Sequence, residues 1–418
     1  MRMSEVLLLF VINLILTKHL SLSQYGIFSY CSTWINVLGL VSTLGYERLL
    51  VRENAILVHS DIPLLSRLNS QGIRQSLIVA SAVAVLTGIG FSLRCLWTGA
   101  DDLWLGMMIS IAAIPLITFS YVRQGIMRGL RMVFRGQFSD YLIRPLLLLL
   151  FISILFYVSD SDLASSVLIL NTGSYAVACL AGWWLYHRYK PVPPESEPAS
   201  GPAQRIPFFF LLMNLIIITN NQLDTLMLGF FEQMSDVGIY SVANRLASFI
   251  SFLLIAYNIA ASPIISKLYS EGNTSLIQKM LTQSNGILSL IALPLFLGYL
   301  VFGKELLALF GPEYGEGYTA LCILATGHYL NVLTGSVGSM LIMTGHERFA
   351  FYSLLSGAVF SVILNSVLVP WIGMEGSAVA SVVSMVTWNM VMLYFVIRHI
   401  GLKPSVLLWM KKDVPLKK

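Results

Sequence analysis

Apolar residues fall along this chain in long blocks separated by short polar segments. Twelve such blocks recur, over about 4–17, 25–45, 76–97, 103–122, 138–158, 163–187, 207–230, 237–262, 283–302, 318–343, 350–370 and 376–397. A helix needs about twenty mostly apolar residues to cross bilayer hydrocarbon, so the pattern predicts twelve transmembrane helices and an all-α, polytopic fold. The first block is short and contains Glu5. Either the chain begins further upstream, or this helix starts among the lipid headgroups. Val6–Thr17 is followed by Lys18 and His19 with no small-residue cleavage site, so no cleavable signal peptide is expected. Pro115, Pro145, Pro263 and Pro294 lie within predicted spans and are expected to kink them.

Composition agrees with the block pattern. Only 11% of the 418 residues are charged, 56% are hydrophobic, and the mean hydropathy is +0.76. Soluble domains carry roughly 25% charged residues, so much of this exterior must face lipid. Twelve spans leave no length for a soluble domain. The net charge of +5 is scattered over short loops and the C-terminus, which argues against nucleic acid. Cys31, Cys95, Cys179 and Cys322 lie in or beside apolar blocks without metal-ligand spacing, and read as small hydrophobic fillers. No cofactor or metal site is expected.

Topology follows from Lys and Arg. With the N-terminus in the cytoplasm, 22 of the 26 basic residues fall on the cytoplasmic side. Lys18, Arg94 and Lys304 fall outside, and Arg245 is left within a helix. Both termini are then cytoplasmic. Two inner loops are long, over 46–75 and 188–206, and the second is rich in proline.

That linker lies near mid-chain and predicts four parts: a six-helix bundle over 1–190, a linker over 191–206, a second six-helix bundle over 207–400, and a basic tail over 401–418. Internal echoes agree. Ser21–Ser29 resembles Gln233–Ser241 at an offset of 212, each just before the second helix of its half. Ile126–Gly129 resembles Ile342–Gly345 at an offset of 216, each after the fourth helix. An even number of helices per half gives parallel repeats, expected to form a V around a central cavity.

Ionisable groups deep in hydrocarbon are costly unless they face protein or water. Asp224 and Arg245 sit roughly 9 and 12 Å from the outer ends of the seventh and eighth predicted helices, at 1.5 Å per residue. They either pair and clamp two helices, or line one cavity. There Arg245 would bind an anionic group through its planar guanidinium, and Asp224 would take up a proton or Na⁺. Arg48, Arg52, Arg123 and Arg128, with Glu47 and Glu53, gather at the inner ends of helices two and four. They either follow the positive-inside rule alone or form a basic vestibule for phosphate. His328, in the tenth helix, is either a hydrogen-bonded helix contact or a proton relay. The numerous asparagines of the spans are expected to join helices or to line a wet lumen.

Three stretches carry a family resemblance: Leu22–Phe28, Gln222–Gly229 with Val237–Ser241, and Gly373–Ala380. They resemble the polysaccharide-biosynthesis flippases, the Wzx-type O-antigen branch of the MOP superfamily, which also holds the MATE exporters. The resemblance covers nearly the whole chain. It implies a bacterial inner-membrane protein that moves undecaprenyl-diphosphate-linked oligosaccharide repeat units outward by alternating access. It also implies membrane lipids as partners, and a complex with the polymerase and chain-length regulator of the same pathway. The family's Asp of the seventh helix maps onto Asp224, and its Arg after the "GIYS" element maps onto Arg245. The alternative within the superfamily is a MATE-like, cation-coupled exporter of small amphiphiles, whose site should be acidic and aromatic. An enzyme is not expected: the outer loops are short, and neither HExxH nor a nucleophile elbow occurs.

Overall fold

The computed structural model describes residues 2–58, 60–99, 101–158, 163–190 and 207–406. The predicted linker 191–206 and most of the basic tail lie outside the described residues. The chain forms two compact units, Met1–Leu215 and Ile216–Lys418.

The first unit contains α1 (Arg2–His19), α2 (Leu22–Ser42), α3 (Tyr46–Leu57), α4 (Ile62–Thr98), α5 (Asp102–Ile111), α6 (Ala113–Gly129), α7 (Val133–Phe138), α8 (Arg144–Val158) and α9 (Leu163–Tyr189), together with the first turns of α10 (Phe208–Phe231). The second unit takes the rest of α10, then α11 (Met234–Ser270), α12 (Thr274–Ala308), α13 (Tyr318–Thr334), α14 (Val337–Met343) and α15 (Glu347–Phe395). The described residues hold no strand.

Among the described residues, six helices are long and apolar enough to cross a membrane, or nine spans when each of three bent pairs counts once. The expected twelve is not reached by this measure, for two physical reasons. The helical tract Glu347–Ile400 replaces two expected spans. At 1.5 Å per residue it is about 80 Å long, against a hydrocarbon core of about 30 Å, and its helical geometry breaks at Ile372 and Gly373. The other reason is polarity. α1 carries Glu5 and Lys18, and α10 carries Asn214, Asn220, Asn221, Gln222 and Asp224.

The inner loop expected over 46–75 is also corrected, because it is mostly helical. α3 and the first four turns of α4 occupy it. Likewise α11 and α12 run on until only 271–273 separates them. These helix ends are polar, so an apolar-block reading cannot see them.

Local chemistry explains the breaks. Ser21 caps α2 in a reciprocal pair with Gln24, at 3.3 and 3.1 Å. α2 and α3 meet at 47° across Leu44 and Gly45, both at positive φ. Pro115 follows a 43° bend between α5 and α6. Pro145 has no N–H to donate to the carbonyl four residues earlier, and the helix widens to a π turn over Ser139–Ile143 just before it.

Each unit is built on one central helix. In the first, α6 packs against α2, α3, α4 and α9. In the second, α13 packs against α11, α12 and α15. Each central helix belongs to a bent span, with angles of 43° and 44°. The echoed motifs Ile126–Gly129 and Ile342–Gly345 close these two spans, the first at the end of α6 and the second across the end of α14.

Candidate functional site

A polar cavity of the first unit opens beside the junction of α3 and α6. Its volume is about 410 Å³. Glu47, Arg48 and Val51 of α3 line it, opposite Tyr121, Gln124 and Arg128 of α6 and Tyr141 of the π turn. Tyr121, Gln124 and Arg128 are three and then four residues apart, which puts them on one face of α6.

Two glycines let these elements converge. Gly45 has φ +82°, and a Cβ there would lie 2.6 Å from the backbone nitrogen of Leu211 and 2.7 Å from Cβ of Phe210. Gly125 faces the carbonyl of Glu47 so closely that any side chain would collide with it. The first glycine seats the start of α10 against the α2–α3 break, and the second brings α3 onto α6.

Seating α10 there delivers Asn214, which is fully buried. Its amide nitrogen donates to Glu47 Oε1 at 2.9 Å, and its carbonyl oxygen accepts from Arg48 Nε at 2.9 Å. Glu47 also accepts from Thr43 Oγ1 at 2.6 Å and lies 3.4 Å from Arg48 Nε. Glu47 is thus anchored from the turn after α2, from α3 and from α10. Arg48 keeps 40% of its side chain exposed. Two guanidiniums against one carboxylate leave the cavity with a net positive charge.

The other predicted residues divide. Arg52 lies one turn beyond Arg48, is 60% exposed and pairs with Glu53 at 2.7 Å; it does not line the cavity. Arg123, expected in the vestibule, is fully buried. It pairs with Asp140 and donates to Ser139 Oγ and the Gly136 carbonyl, each at 2.9 Å. The reason is helical phase. Five residues separate Arg123 from Arg128, which turns the two about 140° apart around α6, so one clamps α6 to the π turn while the other faces the cavity.

In the second unit, Asp224 is buried and its carboxylate is held by hydroxyls. It accepts from Tyr240 Oη at 2.6 Å, Ser381 Oγ at 3.1 Å and the Thr225 amide at 2.8 Å. The pairing alternative with Arg245 is corrected. Tyr240 takes the place facing Asp224, and Arg245 lies five residues on, about 140° around α11. Arg245 is half-buried and joins none of the described ion pairs. His328 accepts or donates at 2.8 Å to Ser251, which also accepts from Asn331 at 3.1 Å. Asn331 in turn accepts from Asn389 at 2.9 Å. This chain joins α11, α13 and α15, as expected of asparagines in spans.

Sequence reasoning missed Asn214, Tyr121, Gln124 and Tyr141. The α6 stripe had a readable signal, a polar set at helical spacing running into Arg128. Asn214 had none, since its partners are 166 and 167 residues away.

Several known proteins and families resemble this chain. The profile of the family described as "Polysaccharide biosynthesis protein" matches residues 1–269, and that of "MatE" matches residues 210–367. A probable flippase of Haloferax volcanii, AglR, is 28% identical over 177 residues, covering 42% of this chain and 37% of the relative. The same organism's probable low-salt glycan biosynthesis flippase, Agl15, is 25% identical over 182 residues, covering 43% and 39%. The matched stretch thus spans about two fifths of the length of these relatives. Among solved structures, an inward-facing multidrug resistance MATE family transporter of the MOP superfamily superposes with a TM-score of 0.71 at 15% identity, covering 96% of each chain. The lipid II flippase MurJ in an inward closed conformation superposes with a TM-score of 0.72 at 13% identity, covering 94% of this chain and 86% of MurJ. At such identities the likeness establishes the fold alone. The fold is the one these two transporters share, the first profile spans well over half of the sequence, and the chain belongs to the polysaccharide biosynthesis protein family.

Proposed function

We propose that this chain is a flippase for an oligosaccharide carried on a polyprenyl diphosphate, undecaprenyl diphosphate in a bacterial inner membrane, with both termini in the cytoplasm. The observation that carries this reading is the net-basic cavity of the first unit, with Arg48 and Arg128 lining about 410 Å³. A diphosphate cannot enter hydrocarbon bare, because the desolvation cost of its charges is prohibitive. Guanidiniums offset that cost with charge-assisted hydrogen bonds. Tyr121, Tyr141 and Gln124 supply the stacking surface and amide contacts that sugar rings use. The lipid tail stays in the bilayer while the headgroup is sheltered, and alternating access carries it to the other leaflet.

The glycan-flippase relatives support the cargo class, and the MatE match over residues 210–367 supports a transporter mechanism. Asp224, with Tyr240 and Ser381 around it, is the candidate for coupling to a proton or Na⁺, and His328 is the second. Arg245 is the candidate cargo contact of the second unit. A polymerase and a chain-length regulator are the partners such a cargo implies. A net-basic cavity disfavours the rival exporter of cationic drugs.

The test is translocation of a fluorescent polyprenyl-diphosphate disaccharide by purified protein in proteoliposomes. Wild type is expected to flip it. Arg48→Gln with Arg128→Gln is expected to slow flipping at least tenfold, since hydrogen bonds to charged groups contribute about 1.5–3 kcal/mol each. Equal rates in the double variant, with its melting temperature unchanged, would remove this cavity from the mechanism.

A further inference from the structure

A second polar cavity of the first unit lies on α4. It measures about 440 Å³ and is lined by Arg67, Ser70, Gln71, Arg74 and Gln75. These residues follow one another at intervals of three, one, three and one, so they occupy a single helix face. Arg67 and Arg74 are both exposed, and neither joins any of the described ion pairs. Gln75 Oε1 accepts from Tyr46 Oη at 2.5 Å, which leaves its amide nitrogen as the group able to donate into the cavity.

The same face continues down the helix as exposed apolar surface. Ile78, Val85, Ile89, Leu93 and Leu96 follow at helical spacing, and all are more than half exposed. Only 17% of the most apolar window of this helix is buried, the lowest share among the six long spans. From Ile78 to Leu96 the helix rises about 27 Å, close to the thickness of the hydrocarbon core. Arg74 therefore falls at the level where acyl chains give way to phosphate. Arg67, two turns further on, lies about 10 Å beyond it.

The geometry points to a binding site for an anionic phospholipid on α4. Its acyl chains lie along Ile78–Leu96, its phosphodiester meets Arg74 and Arg67, and its polar headgroup meets Ser70, Gln71 and Gln75. Phosphatidylglycerol chemistry fits, with one phosphate charge and a hydroxylated headgroup. The site is separate from the α3–α6 cavity and concerns bilayer lipid rather than cargo.

Native mass spectrometry of the purified full chain in detergent tests this, with dioleoyl-phosphatidylglycerol and dioleoyl-phosphatidylcholine titrated separately. Wild type is expected to retain the glycerol lipid well above the choline lipid. Near a membrane surface each basic residue contributes roughly fivefold to the affinity for anionic lipid, so Arg67→Gln with Arg74→Gln is expected to weaken retention roughly thirtyfold. The single variants should fall between, which keeps the test open if the double variant does not fold. Arg94→Gln, at the other end of α4, controls for loss of charge alone and should leave retention unchanged. Equal retention by wild type and the double variant overturns the proposal, as does equal retention of the two lipids. Displacement of the lipid by millimolar inorganic phosphate would assign the site to free phosphate and also overturn it. None of these readouts involves translocation, so their failure leaves the flippase reading standing.

Discussion

Arg123→Ala separates the two roles that basic residues play on α6. The side chain is wholly inaccessible, and its partner Asp140 keeps 11% exposure. Truncation leaves the Asp140 carboxylate without its countercharge and the Gly136 carbonyl without its donor, while Ser139 Oγ still donates to Asp140 at 3.0 Å. Removing one member of a buried ion pair costs about 3–5 kcal/mol, because the surviving charge stays desolvated. Asp140→Asn should fall in the same range, since it leaves a buried guanidinium. Arg123→Met with Asp140→Leu should cost clearly less than the two single changes together, because no lone charge remains. The assay is apparent thermal unfolding in one fixed detergent, with Arg128→Ala as the control on the same helix. Arg128 faces the cavity, so its truncation should shift stability by under about 1 kcal/mol. If Arg123→Ala melted like wild type and lost only translocation, the clamp assignment would be wrong, and Arg123 would join Arg48 and Arg128 as a proposed cargo contact.

Two further outcomes follow from the packing. Tyr240→Phe removes the 2.6 Å hydrogen bond to Asp224 and should cost about 1.5–3 kcal/mol in the same melting assay; an unchanged melt would mean that the carboxylate does not depend on that hydroxyl. Gly125→Ala forces a methyl group onto the Glu47 carbonyl and should cost about 1–3 kcal/mol through separation of α3 from α6, together with loss of glycolipid translocation; full stability and rate would show that the crossing yields easily.

The apolar blocks were legible because the bilayer imposes them directly: a span needs its twenty residues whatever it packs against. Helices outside the hydrocarbon face no such demand, so α3 and the polar start of α4 looked like loop. The basic residues were legible as a group, since the positive-inside rule counts charges without regard to direction. It says nothing of helical phase, which is why Arg123 and Arg128 could not be told apart by charge. Depth along the helix had the same defect for Asp224 and Arg245. They lie at similar levels, yet Tyr240 occupies the face of α11 that meets the carboxylate. Asn214 was beyond reach because its role depends on where α10 docks, which a single sequence does not reveal.

The internal neutrality of the Arg123–Asp140 pair bears on how strongly the cavity can hold an anion. With Arg123 spent inside the fold, the cavity has two guanidiniums and the Glu47 carboxylate, a net charge of one. A transport site must bind well enough to load and weakly enough to unload, and a diphosphate facing full countercharge would be slow to leave. On the proposed reading, Glu47 acts as a brake on affinity as well as an anchor. Glu47→Gln tests this with little change of shape, since the amide oxygen can still accept from Thr43 or Asn214, which lie at 2.6 and 2.9 Å. Removing one negative charge near the cargo should strengthen binding by about 1–3 kcal/mol at the effective dielectric of a partly exposed site. In the proteoliposome assay the expected result is a lower half-saturating cargo concentration together with a slower maximal rate. Weaker binding with an unchanged rate would show that Glu47 serves only to hold Arg48 and Asn214 in place, and that the cavity's charge balance does not govern release.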